Sequence, residues 1–429
     1  MISRLADVVL ALACAVATIG ATKVTINNDK VLEINGKKVF PIGFTMAPAP
    51  GMKAPNGNDG LKELHAAGGS FLRTGPNGNA RWNDKYIEQE QKWFDAAADA
   101  GMYCLPWLKE LSTIDPGEEK LEAMLKKVVE RFKDHPAMGC WKGADEPEWG
   151  FEYVDPMLHA RKLVRDWDSN HPMWIVHAPM GTIDSLRRYN DTMDITGQDI
   201  YPIAYPPGAH SRLPNRELSL VGDHTRLMQE VVYEQKPIWM TLQIAWSGAA
   251  RADRTLRMPT LAQERFMAYE AIINGARGLI YFGGSLPTTL SPQDKKLGWN
   301  WGWFDVNLRP LLSEINQNSA LYPALVARQS EIPIRCRREG IPFAPEKDIE
   351  LLVREVDDEV FLLACNRGTQ TLQVNFLQIP PVKPEVEVMF EGPRKVRVEQ
   401  HVLSDFFGPY EVHVYRMKRV EASIDYSQE

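Results

Sequence analysis

The chain has 429 residues, 44% of them hydrophobic and 24% charged, with a formal net charge of -7. That is a globular composition, long enough for two domains or for one large barrel with an appendage. The negative balance and the lack of any basic block exclude a nucleic-acid backbone as the expected partner.

Residues 1–21 read as a signal peptide: Arg4 precedes an apolar segment from Val8 to Ile19, and small residues follow at Gly20-Ala21. Leu12-Ala13-Cys14 is a weaker match to a lipoprotein box, because Ala11 stands where a larger aliphatic is usual. Export with cleavage is therefore the expectation, giving a secreted or periplasmic protein, and no later run is long enough to span a bilayer. Of the other cysteines, Cys104 and Cys140 sit in apolar runs and read as buried thiols, whereas Cys336 and Cys365 are left as a possible pair. Cys-x-x-Cys, His-Glu-x-x-His and phosphate-loop patterns are all missing, so neither metal nor cofactor is expected.

From Val24 to Phe40 the pattern is a β-hairpin turning at Asn35-Gly36. Eight apolar segments follow: Val39–Phe44, Ser70–Arg73, Met102–Trp107, Met138–Ala144, Pro172–His177, Met193–Tyr201, Pro237–Leu242 and Gly278–Phe282. Helical spacing separates them, as at Tyr86–Ala100, Leu121–Phe132 and Leu261–Asn274, and Gly101 and Gly275 stand at helix ends. Eightfold alternation predicts an α/β fold, a (β/α)8 TIM barrel over residues 22–330. An open doubly wound sheet is the competitor, and it lacks its glycine-rich phosphate turn. Five short runs after Glu331 (Asp348–Arg354, Glu359–Cys365, Thr371–Phe376, Val386–Phe390 and Tyr410–Arg416) predict a small antiparallel β-sandwich over 331–419, with a frayed tail at 420–429.

Barrel chemistry sits at the carboxyl ends of the strands. The most informative of these is the fourth, Cys140-Trp141-Lys142-Gly143-Ala144-Asp145-Glu146-Pro147, where an apolar run stops at two adjacent carboxylates and a proline. Around the ring stand Arg73 on the second strand, Trp107 on the third, His177 on the fifth, Asp199 and Tyr201 on the sixth, and Gln243 with Trp246 on the seventh. Trp299, Trp301 and Trp303 lie in the loop after the eighth. Any one of these has a plain structural explanation; His177 in particular is more often a packed core residue, and the tryptophans suit a local core. Together they form a set suited to carbohydrate, whose rings need flat apolar faces and whose hydroxyls need bidentate partners.

On these residues the chain resembles the large clan of retaining (β/α)8-barrel glycoside hydrolases that includes β-galactosidases, cellulases and β-mannanases, over roughly residues 24–320. The carriers are Leu32-Glu33-Ile34-Asn35-Gly36-Lys37 leading to Pro41-Ile42-Gly43-Phe44, Arg73, Glu146-Pro147 and Tyr201. The resemblance implies a secreted hydrolase of oligo- or polysaccharide with Glu146 as acid/base. Asp145 stands where that clan has Asn, and Gln243 where it has the nucleophilic glutamate. Three readings remain open for the missing carboxylate. Asp199, or a loop acid such as Asp253, acts from across the ring. Alternatively Asp145 orients a substrate acetamido group beside Glu146, as the adjacent Asp-Glu pair of β-N-acetylhexosaminidases does. In the third, the barrel binds glycans without cleaving them.

Overall fold

A computed structural model of the chain describes residues 20–205, 207, 211–244, 255–256, 258–283, 292, 296, 299–339 and 348–420. Val24–Ile26, Leu32–Ile34 and Lys37–Val39 form a three-stranded antiparallel sheet. Asn35 and Gly36, with φ of 51° and 78°, supply the two left-handed positions that a two-residue hairpin turn requires. Val24, Leu32 and Ile34 pack on Phe71, Leu105, Cys140, Trp174 and Trp239, so this sheet plugs the amino-terminal mouth of the barrel.

The barrel strands are Ile42–Phe44, Phe71–Thr74, Tyr103–Pro106, Trp141–Asp145, Met173–His177, Ile195–Ile200, Ile238–Gln243 and Ala276–Phe282. They lie in one eight-stranded sheet, each laddered pair parallel, and the first strand pairs with the eighth as well as the second. Between the third and fourth the ladder thins to two isolated bridges, Cys104 to Met138 and Trp107 to Lys142. A doubly wound sheet would leave two free edges; here those edges meet. The first strand starts at Ile42 and not at Val39, because Val39 is spent pairing with Leu32 and Pro41 has no N–H for a ladder.

Helices Asp84–Ala100, Glu119–Phe132 and Leu261–Ile273 bury one face each against the strands or, for the last, nearly all faces. Local chemistry sets their ends. The Asn83 side chain accepts from the Tyr86 N–H, Gly101 closes the same helix with φ 75°, and Thr260 with Gln263 makes a capping box.

The C-terminal sheet has eight antiparallel strands, three more than the sequence pattern suggested: Arg335–Arg338, Lys395–Glu399 and Val402–Phe407. The first of these lacks alternation because it is an edge strand held by its ladder to Leu372–Leu377. Lys395–Glu399 links the two halves of the sheet, which fold over a shared core of Val360, Leu362, Val374, Phe376, Leu403 and Tyr415. The alternate residues Phe361, Leu363 and Cys365 join the barrel's core cluster, so one strand serves two interfaces by its period of two. Cys336 and Cys365 are not joined to each other by a disulfide. They cannot pair because Cys365 faces the barrel helices while Cys336 packs on the sandwich core.

Candidate active site

Lys142 and Asp145 are three apart, which in a regular strand puts them on opposite faces. The ladder to the fifth strand removes that objection. Lys142 pairs with Trp174 and Asp145 with Val176, so the fourth strand carries one extra residue. This bulge turns both side chains inward, and Lys142 Nζ meets Asp145 Oδ1 at 2.9 Å. Lys142 is only 2% exposed, lies 5.1 Å from the Trp174 ring, and also donates to the Ala144 carbonyl at 2.8 Å. Burial pushes its ammonium down against the pull of Asp145. Burial alone would raise the Asp145 carboxyl, but Lys142 and Arg73 hold it below the ordinary value.

Glu146 follows with φ 48°, a left-handed conformation unusual for a side chain of this size and tied directly to Pro147. Its N–H still donates to the Val176 carbonyl at 2.9 Å. Such a backbone costs on the order of 1 kcal/mol and persists only where neighbours impose it. The carboxyl is aimed at the sixth strand, where it is hydrogen-bonded to Asp199, and Tyr201 bonds the same aspartate. Burial and the like charge of Asp145 raise Glu146, with the Asp199 bond and Lys142 opposing. Asp199 is pushed well up, first by burial and then by Glu146. A hydrogen bond between two carboxyls needs a proton on one of them, and the larger rise of Asp199 favours holding it there.

Arg73 lies above Trp107, its guanidinium 5.1 Å from the ring centroid. Burial lowers it and Asp145 raises it. The close approach is set by Gly75, whose φ is 87° and where a Cβ would come within 2.6 Å of the Trp107 backbone. The Gly75 N–H donates at 2.9 Å to buried Glu90, a carboxyl that burial pushes up to about 7. Trp107 thus lies among three cations, Arg73, Lys109 and Lys142.

The other predicted contacts fare differently. Tyr201 stays at the site, stacked on Phe282 at 5.2 Å. His177 is fully buried, pushed down to about 3 by burial and Lys142, and so neutral. Gln243 is also fully buried. Its Oε1 accepts from the Ile203 N–H at 3.0 Å and its Nε2 donates to the Ile203 carbonyl at 2.7 Å. Gln243 is thus a clamp on the loop after the sixth strand and not a contact offered to a ligand. Trp301 is likewise corrected: it is fully buried in an aromatic cluster with Trp299 at 4.8 Å and Phe304 at 5.6 Å, away from any face a sugar could stack on. Trp246 and Asp253 lie outside the described residues, as do residues 1–19 of the expected signal and 421–429 of the tail.

Sequence reasoning passed over two features. Lys142 was visible as a lone lysine within an apolar strand. Trp149, Phe151 and Tyr153, exposed by 62%, 82% and 81%, follow Pro147 directly, and the Gly150 N–H folds their loop back onto the Glu146 carbonyl at 2.9 Å.

Solved structures share this architecture. A glycoside hydrolase matches at 14% identity over 92% of this chain and 97% of its own, with a TM-score of 0.62. A glycoside hydrolase family 5 protein from Bacteroides vulgatus ATCC 8482 matches at 16% identity over 95% and 94%, with a TM-score of 0.63. An Anoxybacillus alpha-amylase matches at 10% identity over 89% and 98%, with a TM-score of 0.54. No family model and no curated protein sequence matches the chain. The chain therefore has the (β/α)8-barrel fold of glycoside hydrolases, with a β-rich C-terminal domain behind it.

Proposed function

We propose that the protein is a glycoside hydrolase acting on an oligo- or polysaccharide, with Glu146 as its general acid. The observation that carries this is the separation of two neighbouring carboxyls by their surroundings: Asp145 is held ionised by Lys142 and Arg73, while Glu146 is pushed up. Acid and anion side by side at a barrel rim are what glycosidic cleavage needs. Asp199 does not fit as a nucleophile or base across the ring. A direct hydrogen bond brings the two carboxyls far closer than the roughly 5–5.5 Å of a retaining pair or about 6.5–9.5 Å of an inverting one. Asp199 is instead the direct hydrogen-bond partner of Glu146, and burial with the charge of Asp145 keeps the acid form of Glu146 favoured. Asp145 then orients a substrate that supplies its own nucleophile, a 2-acetamido sugar. The exposed Trp149, Phe151 and Tyr153 beside the acid offer flat faces for further rings of an extended glycan.

The same reading includes export, with the leader removed near Ala21; amino-terminal sequencing of protein recovered outside the cytoplasm tests it. A second reading is favoured by Gln243, whose engaged amide suits a barrel that binds glycans and no longer cleaves them. The deciding experiment is turnover of aryl glycosides with and without a 2-acetamido group, wild type beside Glu146→Gln. Turnover confined to the acetamido sugars and lost in the variant supports the proposal. Binding without turnover in both proteins moves the assignment to the second reading.

A further inference from the structure

The opposite end of the barrel carries a cavity of about 310 Å3, beneath the amino ends of the seventh and eighth strands. Its lining draws cations from three parts of the molecule: Lys30 from the N-terminal hairpin, Lys236 and Arg277 from the barrel, and Arg354 from the C-terminal sheet. Glu234 is the one acid of the lining, and Asp29 lies near enough to attract both arginines. The lining itself carries four cations against one acid; Asp191 and Asp194 lie near Lys236 with Arg161 and Arg165 beside them, so the positive excess sits at the two arginines and Lys30.

Two of the cations are fixed by backbone carbonyls, with Asp194 and Asp191 near the first and Asp29 near the second. Lys236 Nζ donates to the carbonyls of Asn190 and Met193, both at 2.6 Å, and Arg277 Nη1 donates to those of Leu325 and Ala327 at 3.3 and 2.9 Å. Arg354 is 3% exposed, yet its Nε and Nη1 meet no acceptor among the described residues. Burial and the neighbouring Arg277 push its guanidinium down to about 9, so it is still charged at neutral pH. A buried guanidinium with two unpaired nitrogens is costly, and guanidinium forks beside ammonium groups match the oxygens of a tetrahedral anion.

We propose that this cavity binds a small oxyanion, a phosphate or sulfate group either free or carried on a sugar, which ties the hairpin, the barrel and the sandwich together. The assignment is independent of the chemistry at Glu146. The probes are inorganic phosphate, inorganic sulfate and glucose 6-phosphate, titrated calorimetrically into the full chain at constant ionic strength set by sodium chloride. Arg354→Met and the surface change Lys30→Ala should each weaken binding by at least about tenfold, the usual weight of a charge-assisted contact. Arg354→Met should also unfold at a higher temperature than wild type in chloride alone, and lose that advantage when phosphate is added. Saturable binding of the inorganic ions that depends on both residues supports a free anion. Binding of glucose 6-phosphate alone, with the same dependence, supports a carried one. Heats no larger than the chloride control, or equal in wild type and both variants, overturn the proposal.

Discussion

The fourth and seventh barrel strands reach the same rim and end in opposite ways. The fourth ends in a bulge, a left-handed glutamate and a carboxyl hydrogen-bonded to another acid. The seventh pairs its last residue, Gln243, in register with Phe282, and both ends of the amide are satisfied by one backbone unit, that of Ile203. Local rules are broken where a group is held ready for a reaction, and kept where a side chain serves the scaffold. In the proposed function the chemistry belongs to the fourth strand.

The sharpest way to break that assignment is Glu146→Gln, which keeps shape and removes the acid. Turnover should fall about 10²–10⁴-fold, the usual contribution of a general acid. Circular dichroism and thermal unfolding should be little changed, and an active variant would remove the fourth strand from the mechanism. Next in size is Gln243→Glu, which puts a carboxylate against the Ile203 carbonyl. Stability in urea should drop by about 1–3 kcal/mol near neutral pH, the penalty for a buried mispaired group. The new carboxyl would have a raised folded pKa, so the loss is small in acid and grows as pH rises through that value. A gain in turnover from this variant would show the seventh strand to be a dormant nucleophile site and not a clamp.

Asp199→Leu probes the hydrogen bond between the acids. It removes a bond that opposes the rise of Glu146, so the alkaline limb of the pH–rate profile should move to higher pH by about one unit. An unmoved limb means the bond does not tune the acid. The smallest effect on stability belongs to Phe151→Ala, expected within about 0.5 kcal/mol because the ring is exposed. Its KM should nevertheless rise on long oligosaccharides and hold on short aryl glycosides; equal KM changes on both would take the aromatic loop out of glycan binding.

All eight barrel strands were legible in the sequence because buried parallel strands are apolar runs bounded by Gly, Pro and polar residues. The strand ends then placed Glu146, Asp145, Arg73 and Tyr201 around one rim. Lys142 was not legible as part of the site, since alternation assigns it and Asp145 to opposite faces and the extra residue shows only in the ladder to Val176. Trp301 failed for a different reason. Its sequence neighbours show an aromatic cluster, but rim and core are indistinguishable until Trp299 and Phe304 are seen to enclose it. In the sandwich, Lys395–Glu399 escaped because its outward positions are charged and its valines read as isolated.

What the sequence by itself determined is the set of local decisions: where strands run, where helices stop, and which chemical groups stand at each strand end. These follow from periodicity, capping and the backbone limits of Gly and Pro, which act over a few residues. Tertiary structure alone decided which groups meet. The hydrogen bond between Glu146 and Asp199, the Gln243 clamp on Ile203 and the cations gathered at Arg354 all join residues some 40 or more positions apart. Such pairings depend on barrel closure and on the packing of the sandwich, and short-range propensities carry no record of either.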